Sequence, residues 1–169
     1  MITLKSISIF DEQMPECIAL EVLPEQRNFV ASNAMSLAEA YDVNKARIVT
    51  GKGDVAIPYA VYENDIMVGF VMYGYFPTGG DNEDHYTDGA PCYYVWRLFI
   101  DKEHQGRGIG REVLHQVMAE IKSMPYGEAE YCYSSYVPDN NASKATFKSY
   151  GYKEDGRIIC GETVARYKL

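Results

Sequence analysis

Long hydrophobic runs are missing from this sequence. None approaches the roughly 20 residues that a membrane-spanning helix needs, which excludes the membrane as an expected partner. Cysteine is sparse, and the four that occur, at positions 17, 92, 132 and 160, are too scattered for a metal knuckle or a Cys-x-x-Cys redox pair. They read as small reduced core residues. The histidines stand alone at 85, 104 and 115, so no metal is expected. Basic residues are outnumbered, 16 against 24 acidic, and the net charge of −8 argues against nucleic acid, whose phosphates it would repel. The same charge is compatible with a cationic partner. Repeats, low-complexity tracts and linkers are also absent, and 169 residues read as one domain, 1–169, with a real core. The start, Met1-Ile2-Thr3-Leu4-Lys5, alternates like a strand and lacks the apolar centre of a signal peptide, so the expected location is cytoplasmic.

What is present centres on Tyr94 to Lys122. Val95 to Ile100 are β-branched and aromatic apart from Arg97, and predict a strand. A glycine-rich turn follows, Gln105-Gly106-Arg107-Gly108-Ile109-Gly110. Ile109, Val113, Leu114, Val117, Met118 and Ile121 then recur at helical spacing and predict one apolar stripe, with Lys122 and Pro125 as stop signals. A strand that feeds glycines into a helix start is suited to phosphate. Glycine lets the backbone approach the anion, and the first helical N–H groups lack internal partners. Arg107 and Arg111 put full charges beside them. The dinucleotide fingerprint fails at Arg111, where it needs glycine, and the Gly-Lys-Ser/Thr of the nucleoside-triphosphate loop is absent.

The pattern of Gln105, Gly108 and Gly110 resembles the pyrophosphate loop of the Gcn5-related N-acetyltransferases (GNAT), which bind acetyl-coenzyme A. The order of elements over nearly the whole chain is similar to that family. It implies an α/β (α+β) domain, a central mixed twisted sheet of about six to seven strands flanked by helices. Ile2 to Ile9 predict a strand, Asp11 to Leu20 a helix capped by Asp11, and Gln26 to Tyr41 further helical turns with a capping box at Ser36 and Glu39. Tyr59 to Tyr62 and Ile66 to Tyr75 predict a hairpin about Glu63-Asn64-Asp65, and Pro77 to Pro91 a long loop. Ala129 to Tyr136 predict a strand, Ala142 to Ser149 a helix closed by Gly151, and Tyr152 to Ile159 with Thr163 to Leu169 a last hairpin about Cys160-Gly161.

A second segment, Asn140, Ser143, Phe147, Gly151 and Tyr152, is similar to the family's Asn-x-x-Ala-x-x-x-Tyr-x-x-x-Gly-Phe. Phe147 stands where many relatives carry a tyrosine that protonates the leaving thiolate, and phenylalanine cannot. Tyr150, Tyr133 or Tyr136 are the candidate substitutes, each weighed against a packed aromatic role.

The resemblance implies acetyl transfer from acetyl-coenzyme A to a primary amine, without metal. Backbone groups of Leu98, Phe99 and Ile100 would pair with the pantetheine arm. Gln105, Gly106, Arg107, Gly108, Ile109, Gly110 and Arg111 would take the pyrophosphate, with Asn140, Lys144 and Phe147 beside the coenzyme tail. The amine must shed a proton, and Glu21, Glu128, Glu130 and the Asp84–His85 pair are candidate bases. Glu21 is preferred, because the substrate cleft in this fold lies against the N-terminal helices. Leu20 to Tyr41, Val68 to Tyr73 and Gly161 to Val164 resemble the bacterial spermine/spermidine acetyltransferase branch. Asp81, Glu83, Asp84 and Asp88 with Tyr86 would suit a polycation, or form a solvated acidic loop. The alternatives are another small amine such as an aminoglycoside, a protein N-terminus, or a coenzyme-binding module that has lost its chemistry. The resemblance also allows a homodimer.

Overall fold

The computed structural model describes residues 1–7, 13–79, 87 and 89–169, and of Ala46 the backbone alone. Its strands are β1 (Ile2–Ser6), β2 (Val55–Glu63), β3 (Ile66–Phe76), β4 (Cys92–Ile100), β5 (Tyr131–Tyr136), β6 (Lys153–Ile159) and β7 (Glu162–Lys168). Its helices are α1 (Gln13–Ala19), α2 (Asn33–Thr50), α3 (Ile109–Ile121) and α4 (Asn141–Tyr150). Among the described residues one mixed sheet holds all seven strands in the order β1-β2-β3-β4-β5-β7-β6. The expected Asp11 cap and Ile9 lie outside the described residues, as do Asp81, Glu83, Asp84, His85, Tyr86 and Asp88 of the acidic loop.

The two tight hairpins turn where their residues tolerate positive φ. Asn64 and Asp65 (φ 54° and 80°) join β2 to β3, and Cys160 and Gly161 (49° and 82°) join β6 to β7. That turn leaves Cys160 exposed, unlike Cys17, Cys92 and Cys132, which are buried thiols as expected. Helix α2 departs most from expectation. It starts one turn earlier, with the Ser32 hydroxyl accepting from the Met35 N–H at 3.2 Å, and runs on to Thr50. Ser36 and Glu39 are therefore inside the helix, not at its cap. Ser36 bonds the Ser32 carbonyl, and Glu39 pairs with Arg97.

Helix α3 buries all six residues of its apolar stripe against one face of the sheet. Val71, Tyr73, Tyr93 and Val95 meet them there. The other face carries Phe70, Met72 and Phe99, packed with Ala40 of α2 and Cys17 of α1. The two central strands diverge. β4 and β5 run parallel but pair only at Tyr93↔Cys132 and Tyr94↔Tyr133, so the sheet opens beyond Tyr94. On its other side β4 stays paired to β3, with a bulge between Tyr73↔Val95 and Met72↔Arg97 that inserts Trp96. The bulge turns Arg97 to the α2 side, where its guanidinium reaches Glu39 at 2.9 Å and lies over the Trp96 ring.

Candidate active site

The opening between β4 and β5 continues into a cleft of about 400 Å³. One wall is the end of β4, Leu98, Phe99 and Ile100, and the floor is the glycine turn Gln105 to Arg111 without Arg107. The far wall is the first turns of α4, from Asn140 to Thr146, and Val22, Gln26, Phe29 and Val30 form a roof. The edge of β4 facing this cleft has lost its strand partner. The Val95 carbonyl finds the Ser134 hydroxyl at 3.1 Å, and the Ile100 carbonyl finds the Gln105 amide at 3.0 Å.

The turn is built to receive an anion. Gly106 (φ 75°) and Gly108 (φ 80°) both adopt left-handed backbone, and a Cβ at either would meet nothing within 4 Å. The chain there is bare and faces open space. Gly108 also opens α3, whose first N–H groups point out of the helix with its positive dipole end.

The loop's two arginines part company. Arg107 does not line the cleft. It pairs with Glu63 of β2 at 2.8 Å and lies 3.2 Å from His104. Arg111 lines the cleft, and among the described residues it has no carboxylate partner. Lys144 likewise turns outward, to Glu154 at 2.8 Å. Asn140 lines the cleft, but its side-chain oxygen caps α4 by accepting from the Ser143 N–H at 3.1 Å. Of the thirteen coenzyme residues expected from sequence, Arg107, Lys144 and Phe147 are off the cleft surface. Phe147 is buried, stacked on Tyr136 with centroids 6.3 Å apart and edge-on to Tyr152 at 5.0 Å.

The three expected catalytic residues are not brought together. Glu21 is exposed, and Lys102 holds it at 2.8 Å by a hydrogen bond that keeps its carboxyl below the usual range. Its backbone is pinned between Asp101 and Lys102. Tyr150 lies off the cleft, its ring against His115, Tyr152, Tyr167 and the Lys122 ammonium. Tyr133 is buried on the sheet face opposite α3, under the Arg157 guanidinium. Tyr136 donates to Glu154 at 3.0 Å, and burial together with that bond pushes its hydroxyl up to about 12.

Sequence reasoning missed a hydrogen-bonded group at the point of divergence. The Tyr94 hydroxyl lies 2.6 Å from Ser135 Oγ, and Ser135 donates to Glu162 Oε2. Nothing in local spacing ties these three residues of β4, β5 and β7. It also missed the roof, whose Gln26 exchanges two amide hydrogen bonds with Gln105.

The family model described as "Acetyltransferase (GNAT) family" matches residues 8–152. The chain belongs to that family. This acetyltransferase is 23% identical over 153 residues to the spermine/spermidine N(1)-acetyltransferase of Bacillus subtilis strain 168, covering 89% of this chain and 88% of that one. Its fold is similar to that of a GNAT family acetyltransferase from Elizabethkingia anophelis solved with acetyl-CoA bound (TM-score 0.63, 11% identity, 99% and 98% coverage). It is also similar to aminoglycoside acetyltransferase AAC(6′)-Ib in complex with coenzyme A (TM-score 0.71, 11% identity, 99% and 95% coverage). Family membership makes this protein an acetyl-CoA-dependent N-acetyltransferase. Among the described residues no group of three or more His, Cys, Asp or Glu is placed to hold a metal. Among the described residues no helix is long and apolar enough to cross a membrane.

Proposed function

We propose that this acetyltransferase modifies a primary amine of a polyamine such as spermidine or spermine, with acetyl-CoA in the cleft between β4 and α4. The coenzyme half of the reading rests on the fit of the residues present. Bare glycine backbone at a helix start, with Arg111 beside it, suits a pyrophosphate. The unpartnered edge of β4 at Leu98, Phe99 and Ile100 suits the amide groups of pantetheine, taken up like an added strand. From Ile100 back to Trp96 is four residues, or about 13 Å of strand. An arm laid along that edge from the glycine turn ends near the bulge, where the sheet opens.

The chemistry at that end is displacement at a thioester carbonyl. An ammonium, with a reference pKa near ~10.4, has no lone pair and must be deprotonated before it attacks. The α2 side of the opening carries the rings of Tyr94, Trp96 and Tyr133, with the Arg97 guanidinium over Trp96 and that of Arg157 over Tyr133.

The polyamine assignment is carried by one observation, the end-to-end likeness to the Bacillus subtilis spermine/spermidine enzyme. A turnover panel tests it. Thiol release from acetyl-CoA is followed with spermidine, spermine, a monoamine, an aminoglycoside and a peptide N-terminus. The expected result is the highest kcat/KM for the polyamines, falling as salt screens their charge. Equal, salt-independent values for spermidine and the monoamine would remove the polyamine reading. Tight coenzyme binding with no thiol release from any amine would point to a binding module.

A further inference from the structure

We infer that Glu162 is the proton acceptor for the incoming amine, held in position by Ser135 and Tyr94. The inference rests on the acetyl-transfer reading above and names a base that reading leaves open.

Proton counting fixes the direction of the bonds. A carboxylate oxygen can only accept, so Ser135 spends its single hydroxyl proton on Glu162 Oε2. The 2.6 Å contact between Ser135 Oγ and the Tyr94 hydroxyl must then have Tyr94 as donor. Tyr94 holds Ser135, Ser135 holds Glu162, and Oε1 of Glu162 keeps its acceptor capacity.

Position follows from the strands. Tyr94 is the last β4 residue paired to β5, so its hydroxyl leans past Tyr133 toward Ser135, into the opening. Glu162 begins β7 directly after the Cys160–Gly161 turn, with Thr163 paired to Tyr136 at the end of β5. The carboxylate therefore sits two hydrogen bonds from the residue at which the β4 edge becomes free.

Charge separates Glu162 from its neighbours. Glu39 pairs with Arg97, Asp155 with Arg157, Glu154 with Lys144 and Glu21 with Lys102. Among the described residues Glu162 pairs with no cation. Among the described residues the other titratable or charged groups on this side include Cys92 and Tyr94 from β4, Tyr131 and Tyr133 from β5, the Asp155–Arg157 pair from β6, Arg166 from β7 and the Glu39–Arg97 pair from α2 and β4. A partly buried carboxylate that accepts from Ser135 and pairs with no cation among the described residues is placed to attract an ammonium.

In the step itself, an N–H bond of the ammonium breaks and an O–H bond forms on Glu162. The freed electron pair forms the C–N bond to the thioester carbonyl carbon. The carbonyl π pair moves to oxygen as that bond forms and returns as the C–S bond breaks with its electrons on sulfur. The departing thiolate takes the second proton of the acylated nitrogen, leaving a neutral amide and coenzyme A as its thiol. Glu162 returns its proton to solvent.

The test compares Glu162→Gln, Ser135→Ala and Tyr94→Phe with the parent enzyme across pH. It uses spermidine, a simple alkyl monoamine, and trifluoroethylamine, which is neutral at pH 7. Coenzyme A affinity is measured alongside as the control for folding. Glu162→Gln is expected to lose about 10²-fold or more in kcat/KM for both ammonium substrates at pH 7. That loss should shrink as pH rises toward the pKa of the amine, and be within a few-fold for trifluoroethylamine. Ser135→Ala and Tyr94→Phe should show smaller losses with the same two rescues. Parent-like rates for Glu162→Gln on the alkyl monoamine, or an equal deficit on trifluoroethylamine, would overturn the assignment. Failure of the polyamine reading would show separately, as a parent enzyme with no preference for spermidine over the monoamine.

Discussion

Gln26 and Gln105 grip each other by their amides, Gln105 Nε2 donating to Gln26 Oε1 at 2.7 Å and Gln26 Nε2 returning a bond at 3.0 Å. Gln105 opens the glycine turn, and Gln26 belongs to the segment that roofs the cleft. The pair ties floor to roof across 79 positions of sequence, and the same Gln105 amide donates to the Ile100 carbonyl at 3.0 Å. One side chain thus fixes the end of β4, the turn and the roof together.

The first prediction concerns that grip. A partly buried neutral hydrogen bond is worth about 1 kcal/mol, so losing the two bonds of the pair should weaken coenzyme A binding by up to roughly 30-fold. Gln26→Ala should fall near that value, and Gln105→Ala should lose more because its amide also holds the Ile100 carbonyl. The double variant should lose less than the sum, because each single change already breaks the pair. Strictly additive losses by calorimetry would mean that the two amides act separately.

The glycine turn gives the second. Gly108→Val places a β-branched residue at φ 80° with its side chain where the anion approaches. Strain of about 1–2 kcal/mol is expected from the left-handed backbone. Coenzyme A affinity should fall well beyond what Gly108→Ala, which carries similar strain with less bulk, produces. If the alanine and valine variants bound coenzyme A as tightly as the parent, the turn would not hold the pyrophosphate.

The third separates the two arginines. Arg111 faces the cleft without a carboxylate partner among the described residues, while Arg107 is paired to Glu63. Arg111→Ala should weaken coenzyme A binding about tenfold and flatten its salt dependence. Arg107→Ala should change affinity by less than half as much in free energy. The reverse ranking would place the anion on the β2 side of the loop.

Much of the local fold around this cleft was legible in sequence, and the reasons are local. The α3 stripe repeats at helical spacing because one face packs on the sheet, and the glycines mark backbone that must stay bare. The length of α2 was hidden. Ile48 and Val49 lie exposed near its end, so no apolar stripe announces it, and Ser36 mimics the cap that Ser32 provides. Partner choice was hidden too. Arg107 and Glu63 are 44 residues apart, and only the register of β2 against the sheet brings them together. The bulge at Trp96 and the Tyr94–Ser135–Glu162 group likewise follow from strand pairing, which no short motif encodes.

The fourth prediction is alkaline instability. Burial first, then hydrogen bonding to Glu120, raises Tyr59 and Tyr73, and burial raises Tyr152 well above its ordinary value. For Tyr136 the native value is about 12 against an ordinary 10.0. A raised native value means that folding favours the neutral phenol. The stability it contributes is complete below pH ~10 and lost as pH climbs toward 12. The melting temperature should hold to about pH 10 and drop steeply above it, and Tyr136→Phe should soften that drop. A melting temperature that is level from pH 9 to 12 would contradict the burial of these hydroxyls.

Transfer of a labelled acetyl group tests the central claim most directly. Acetyl-CoA carrying a ¹³C-acetyl group is incubated with spermidine and either the parent enzyme or Gly108→Val, at coenzyme concentrations below saturation. The account predicts label recovered by mass spectrometry on a primary nitrogen of spermidine with the parent, and a kcat/KM for the coenzyme at least tenfold lower in the variant. Coenzyme bound but no labelled polyamine, or undiminished transfer by Gly108→Val, would contradict it.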